Sequence, residues 1–245
     1  MTTLILTPRF TEDSQALWKA AAQLGWSVER LGSWRVPDHF RSLDDIALYV
    51  EALFAQTMAD QFGLELLSPP EDWLVRLPFE YKRRDIRLTT LGEARKLETA
   101  AFVKPPNDKS FPANVYERSS LPIEYDDNMS VLVSDIVSWE AEFRCFVLDR
   151  SLVTYSIYAR NGDLQRATQF QSEMAEDREL EDFMAKLLVD SRVDLPDATV
   201  IDVGYIHGAG WACVEQNAAW GAGIYGCDPI KVLEVVRRAV VKTTK

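Results

Sequence analysis

Histidine is nearly missing from this chain: 245 residues hold two, His39 and His207. That scarcity argues against zinc chemistry, which leans on imidazole ligands. Cysteine is sparse as well. Cys145, Cys213 and Cys227 are odd in number and lack metal-type spacing, so they read as reduced, mostly buried thiols. Reduced thiols fit the cytoplasm, which is the expected compartment. Positive charge is in the minority, 27 Lys and Arg against 38 Asp and Glu, for a net charge of −11. Such a balance excludes a nucleic-acid backbone as the main partner while leaving room for a local basic pocket that holds nucleotide phosphates. No apolar run approaches membrane-spanning length, so no membrane partner is expected. The N-terminal MTTLILTPRF has too short an apolar core, and no basic flank, for a signal peptide. Two familiar phosphate cradles are absent too: there is no G-x-x-x-x-G-K-[ST] loop, and no G-x-G-x-x-G follows a strand.

What is present is an ordinary globular composition, 47% hydrophobic and 27% charged, long enough for one large domain or two small ones. Thr3–Leu6 reads as a short strand. Ser14–Leu24 reads as a helix, with Leu17, Ala20, Ala21 and Leu24 at helical spacing and Gly25 as its stop. Trp26–Leu31, Ile46–Val50 and Leu64–Leu67 read as strands, and Ala52–Phe62 as a helix closed by Gly63. Strand and helix in alternation predict a small α/β unit with a largely parallel sheet. After a short helix at Leu91–Leu97 the pattern turns to β, at Ala101–Lys104, Val131–Val137, Glu142–Leu148 and Leu152–Tyr158. Helices over Glu173–Val189 and Pro229–Val241 complete the chain, and Pro105–Asn128 and Asn161–Ser172 are its loop-like stretches.

The stretch richest in chemistry is VIDVGYIHGAGWACVEQNAAWGAG. Val200–Val203 and Trp211–Val214 are apolar runs joined by a Gly-containing turn, the pattern of a hairpin. Alternation puts Glu215 and Asn217 on one face, and Asp202 can sit opposite them on the neighbouring strand. Two carboxylates and an amide oxygen are hard ligands that suit Mg²⁺ held together with phosphates; a solvated acidic loop would carry the same residue types. A second element is Phe102-Val103-Lys104-Pro105, a lysine at a strand end, with Lys109 in the polar loop beyond. Such a lysine can meet a phosphate as a point charge, or be plain surface charge. A third is VLVSDIVSWEAEFRCFVL. A segment linking two β lobes can offer free backbone groups to an adenine edge, and Glu142 can accept from ribose hydroxyls. Glu142 and Arg144 share a strand face, where an ordinary ion pair is the alternative.

Together these residues resemble the ATP-grasp superfamily. The phrases FVKPPNDKSF, SDIVSWEAEFR and VEQNAAWGAGIYG are similar to a branch of short ATP-grasp proteins marked by two arginines and a lysine, over roughly residues 100–245. The resemblance implies an α/β (α+β) fold with a small N-terminal α/β domain at residues 1–88 and an ATP-grasp region at 89–245. That region would divide into a small lobe of about 99–133 and a large lobe of about 134–245 that grip a nucleotide between them. It implies that Lys104 contacts the α- or β-phosphate of ATP and that Lys109 lies over the phosphates. The backbone of Asp135, Ile136, Val137 and Ser138 would hold the adenine, and Glu142 the ribose. Asp202, Glu215 and Asn217 would hold one or two Mg²⁺ ions, with Mn²⁺ as a substitute. Arg144 and Arg160 match the two arginines, and with Lys104 they would do the catalytic work. The glycine-rich lid of larger relatives is not evident, and Phe111–Asn114 is the segment in its place.

The activity implied is ligation: a carboxylate is phosphorylated to an acylphosphate and an amine then attacks it. The partners are ATP, a small-molecule or peptide carboxylate and an amine, with a homodimer as the default assembly. A phosphotransferase or a non-catalytic ATP-binding module would use the same nucleotide residues. Cys145 and Cys213 read as core thiols, His207 as a turn residue, Trp211 and Trp220 as packing residues, and Arg83 with Arg84 as a solvated basic edge. Gly221 and Gly223 would allow a close approach to phosphate or a positive-φ turn.

Overall fold

The structure is a computed structural model that describes residues 1–41, 43–117 and 120–243. Strand β1 (Thr3–Leu6) is buried at every position, as expected of a strand covered on both faces. Parallel strands β2 (Ser27–Arg30) and β3 (Ile46–Tyr49) flank it in the order β2-β1-β3. Helix α1 (Glu12–Gln23) makes the first crossover. Thr11 starts it, accepting from Ser14 N at 3.0 Å while its own N–H donates to Ser14 Oγ at 3.0 Å. Helix α2 (Ala52–Phe62) ends at Gly63, whose φ of 65° is the left-handed conformation that suits glycine. Strand β4 (Leu64–Leu66) follows.

Two single helical turns, α3 (Trp73–Arg76) and α4 (Phe79–Lys82), come next, and no periodicity in the sequence announces them. The small lobe is an antiparallel sheet of β5 (Ile86–Thr90), β6 (Ala101–Lys104), β7 (Asn114–Tyr116) and β8 (Ser130–Ser134), in the order β5-β8-β6-β7. The short helix α5 (Leu91–Ala94) packs on it. Val131 and Val133 of β8 enter the small lobe's own core, with Val103, Leu91 and Phe111, while Leu132 between them enters the core of the large lobe. The strand expected over Val131–Val137 therefore stops at Ser134, and residues 135–138 pass irregularly from one lobe to the other. Phe111 is anchored in the small-lobe core rather than free at the tip of a lid. Residues 118 and 119 of the loop expected over Pro105–Asn128 lie outside the described residues.

The large lobe is an antiparallel sheet of β9 (Trp139–Leu148), β10 (Ser151–Arg160), β11 (Asp163–Leu164), β12 (Ala198–Ile206) and β13 (Gly210–Asn217). Its order is β11-β10-β9-β12-β13. On one face Phe143, Cys145, Val147, Ile201 and Val203 pack against Leu180, Met184 and Leu187 of α6 (Met174–Val189), with Trp73, Leu74 and Tyr81 from the two short turns. On the other face Phe146 and Val200 join the core under the N-terminal sheet. That core also takes Val232, Leu233, Val235 and Val236 of α7 (Pro229–Arg237), so the end of the chain returns to its beginning. The helix expected to reach Val241 ends at Arg237. The β-branched pair Val240 and Val241 instead forms β14 (Val240–Lys242), antiparallel to β4. The expected boundary after residue 88 falls inside β5, and the packing of α3 and α4 favours a division ahead of Trp73. Among the described residues, no helix is long and apolar enough to cross a membrane.

Candidate active site

The register of the large sheet builds the site. Asp202 on β12 pairs with Arg144 on β9 and with Glu215 on β13, so three charged residues lie side by side across three strands. A bulge in the β12–β13 ladder next to Asp202 leaves Val214 unpaired and re-aims the end of β13. Arg144 grips Asp202 with two bonds, Nε to Oδ1 at 2.9 Å and Nη2 to Oδ2 at 2.6 Å, and its Nη1 donates to Gly223 O at 2.9 Å. The pair is deeply buried, with Arg144 7% and Asp202 1% exposed. Asn217 Nδ2 donates to Glu215 Oε1 at 3.0 Å and to Asp202 Oδ2 at 3.2 Å, so the three expected metal ligands converge. From the other lobe Lys104, at the end of β6, donates to Glu215 Oε2. The lobes are closed on each other here. The gap between Pro106, Asn107 and Leu132 on one side and Glu215 and Gln216 on the other is about 10 Å³.

Electrostatics follow from this packing. Burial pushes the Asp202 carboxyl up, and the bidentate Arg144 opposes it. Burial also works against ionisation of Glu215, but Lys104 and Asn217 outweigh it and hold that carboxyl down at about 2. Glu142 is raised by burial, partly relieved by the Tyr158 hydroxyl, which donates to its Oε2 at 2.8 Å. The ion pair between Glu142 and Arg144 that sequence allowed is therefore not formed. Arg144 lies over the ring of Tyr225 at 4.8 Å and near that of Tyr158 at 5.7 Å, and the two rings stack 5.2 Å apart. Neither tyrosine was singled out by sequence. The signal for Tyr158 was its position two residues before Arg160, on a strand whose alternation it shares.

The other expected residues fall in several places. Arg160 is engaged at the start of α6, where Glu176 takes its Nη1 and Nη2 at 2.6 Å each. Lys109 is exposed on the loop after β6. In the segment between lobes, Asp135 N donates to Asp85 O at 3.1 Å and Ser138 O accepts from His207 N at 3.0 Å. Asp135 and Ile136 border a cavity of about 670 Å³ that Asp85, Ile86, Ala101 and Ser134 also line. A groove of about 710 Å³ between α6 and β10 contains none of the expected residues.

Arg84 corrects an expectation. It is no solvated edge but 7% exposed, with Nη1 donating to Cys213 O at 2.9 Å and Nη2 to Val214 O at 3.3 Å. Those carbonyls belong to the outer edge of β13, which has no neighbouring strand, so the guanidinium substitutes for one. Burial lowers its pKa to about 10. Arg84 also lies 4.9 Å from the ring of Trp139, which covers Gly204 so closely that a Cβ there would sit 2.7 Å from the ring. At Gly221 a Cβ would come 2.9 Å from Val50 O, so that glycine serves the approach of the β13–α7 loop to the N-terminal unit. Trp220 and Trp211 are packing residues as read, and the three cysteines are free and buried.

The donor set suits a hard divalent cation. Among the described residues no three His, Cys, Asp or Glu side chains gather into a metal cage. What converges is two carboxylates and an amide, a set that Mg²⁺ accepts when phosphate oxygens and water complete its shell.

Comparison with known proteins fits this architecture. A family described as an ATP-grasp domain, family 2 of the clade named for two arginines and a lysine, matches residues 81–235. Similar solved structures include a RimK domain ATP-grasp protein from Sphaerobacter thermophilus DSM 20745, at 14% identity and a TM-score of 0.56 over 97% of this chain and 98% of that one. The D-cycloserine synthetase DcsG aligns at 12% identity and a TM-score of 0.62 over 96% and 98%. The D-alanine–D-alanine ligase of Bacillus anthracis aligns at 10% identity and 0.55 over 97% and 96%. At these identities the likeness is one of fold. A comparison with curated proteins finds no match.

Proposed function

We propose that this chain, which belongs to family 2 of the two-arginine, one-lysine clade of ATP-grasp domains, binds ATP between its two lobes, phosphorylates a carboxylate and joins it to an amine. The observation that carries the reading is the meeting of Lys104 from one lobe with Glu215, Asn217, Asp202 and Arg144 from the other. Asp202, Glu215 and Asn217 would hold Mg²⁺ or Mn²⁺. When bound, such an ion neutralises charge on the β- and γ-phosphate oxygens as the phosphoryl group moves. Lys104 exchanges Glu215 for a phosphate oxygen. Three of the five guanidinium donors of Arg144 are engaged within the protein, which fixes its plane and leaves the rest to meet the transferred group. Asp135–Ser138 takes the adenine and Glu142 the ribose, with Lys109 free to reach the phosphates from its loop. Arg160 must leave Glu176 to touch a substrate carboxylate. No side chain need act as a nucleophile, which agrees with thiols that burial pushes up.

The names of the similar structures favour ligation: a synthetase and a D-alanine–D-alanine ligase stand among them. The test is product analysis. The purified chain, given ATP, Mg²⁺ and pooled carboxylates and amines, should release ADP and phosphate together with a new amide. A stable phosphorylated product would make it a phosphotransferase instead. Glu215→Ala should abolish ATP consumption and leave the fold intact, and wild-type turnover in that variant would refute the site.

A further inference from the structure

At the C-terminal ends of β1 and β3, on the other side of Gly223 from Arg144, lies a separate cavity of about 180 Å³. It opens where the strand order β2-β1-β3 makes chain connections diverge, the place where open α/β sheets take ligands. Its walls are Thr7, Arg9, Asp13, Tyr49 and Glu51, closed by Gly221 and Gly223 of the β13–α7 loop. Asp13 Oδ2 is fixed by the Ile224 N–H at 3.1 Å and faces the Tyr49 hydroxyl at 3.4 Å. Burial and Asp13 keep that phenol protonated. Glu51 is the anomaly. It stands at the N-cap of α2 without capping it, and its Oε2 is wholly buried with no hydrogen-bond partner. A buried carboxylate oxygen without a donor is a position that a ligand's donor can fill. Arg9 lines the same cavity, is exposed, and makes no ion pair among the described residues.

We infer that this cavity binds a free α-amino acid, its ammonium between Asp13 and Glu51 and its carboxylate on Arg9. Two signs of charge face one small space, which matches a zwitterion and disfavours an apolar or purely anionic ligand. The volume is that of about six waters' share of liquid, below the range of drug-sized sites and too small for a nucleotide. A Cβ built on Gly223 would lie 3.4 Å from Asp13 Oδ2 and 3.5 Å from Arg144 Nη1, so the cavity adjoins the arginine of the proposed phosphoryl-transfer site. The role of the amino acid as one of the two molecules joined rests on the ligase reading; its binding does not.

The test uses the full chain without nucleotide. Each common L-amino acid is titrated by calorimetry, and any that binds is repeated as its N-acetyl and methyl-ester forms. At least one should bind, and removing either charge should weaken it tenfold or more. Glu51→Gln and Arg9→Ala should weaken it similarly with unchanged melting temperature, since neither side chain makes a bond the fold needs. Binding of a non-hydrolysable ATP analogue with Mg²⁺ is measured in parallel. Failure of the analogue to bind would sink the ATP reading and leave the amino-acid result standing. The inference is overturned if no amino acid binds, if the N-acetyl form binds as well, or if both variants bind like wild type.

Discussion

Two carboxylates of the proposed site should respond oppositely to the same truncation. Asp202 is 1% exposed and is gripped by an Arg144 that is itself 7% exposed. Asp202→Ala strands a buried guanidinium with one carbonyl and two aromatic rings for company. Breaking such a pair from one side costs about 3–5 kcal/mol, because the remaining charge stays buried. For a chain of this length that is a fall in Tm of roughly 6–20 °C. Glu215 differs. Its partner Lys104 has a side chain 14% exposed at the mouth between lobes, and Glu215 itself is 30% exposed. After Glu215→Ala the flexible ammonium can turn to water, so the loss should be about 1 kcal/mol or less. Thermal unfolding by circular dichroism reads both, with urea titration as a check on the slope. The double variant Arg144→Met/Asp202→Leu should recover most of the stability lost by Asp202→Ala, since removing both charges leaves none stranded. Equal losses for the two alanine variants, or an Asp202→Ala protein melting within 3 °C or so of wild type, would refute the assignment of one carboxylate to the scaffold and the other to exchange.

Other outcomes follow from the same packing. Glu142 is raised by burial, so ionising it penalises the folded state, and Glu142→Gln should raise Tm at pH 7.5 while weakening nucleotide binding. That gain should be full above the folded pKa and vanish as pH falls below the ordinary glutamate value, where both states hold the proton; a gain that persists at pH 3.5 would contradict it. Gly204→Ala should lose about 1–3 kcal/mol in urea unfolding, because the new Cβ would meet Ala141 O and the Trp139 ring at 2.7 Å. Lys104→Ala should weaken binding of an ATP analogue yet strengthen binding of Mn²⁺ alone, read by water-proton relaxation, since it uncovers Glu215; unchanged Mn²⁺ affinity would argue against the exchange.

How much of this was legible in sequence depends on what kind of signal each part leaves. The D-x₁₂-E-x-N hairpin was legible because strand alternation and a Gly-containing turn are local, and they alone place Glu215 beside Asn217. The strand-end lysine was legible for the same reason. Arg84 was not. Its neighbours in sequence are charged, and the unpaired edge of β13 that buries it arrives about 130 residues later. Asp13 was hidden similarly, as an ordinary first-turn acid of α1 whose partners are Tyr49 and Ile224. The last helix was overextended because Val240 and Val241 fit a helical face as well as a strand, and only the free edge of β4 decides between them. Local pattern reports which faces residues share; which faces meet is a property of the closed fold.

The two ion pairs of the site divide its labour by burial. Arg144 and Asp202 lie within one sheet, on adjacent strands, and no movement between lobes separates them. Lys104 and Glu215 join different lobes, so parting the lobes must break them. With only about 10 Å³ between Leu132, Pro106 and Glu215, nucleotide phosphates cannot enter without that parting. On the proposed function, breaking the second pair leaves neither charge unpaired. Lys104 turns to a phosphate and Glu215 to the cation that accompanies it, so each loses one opposite charge and gains another. Either ligand alone would satisfy only one of the two. Nucleotide without cation would set Glu215 against phosphate, and cation without nucleotide would face Lys104. Each should therefore raise the affinity for the other by the same factor, and the closed pair of Lys104 and Glu215 is what makes that coupling a consequence of charge.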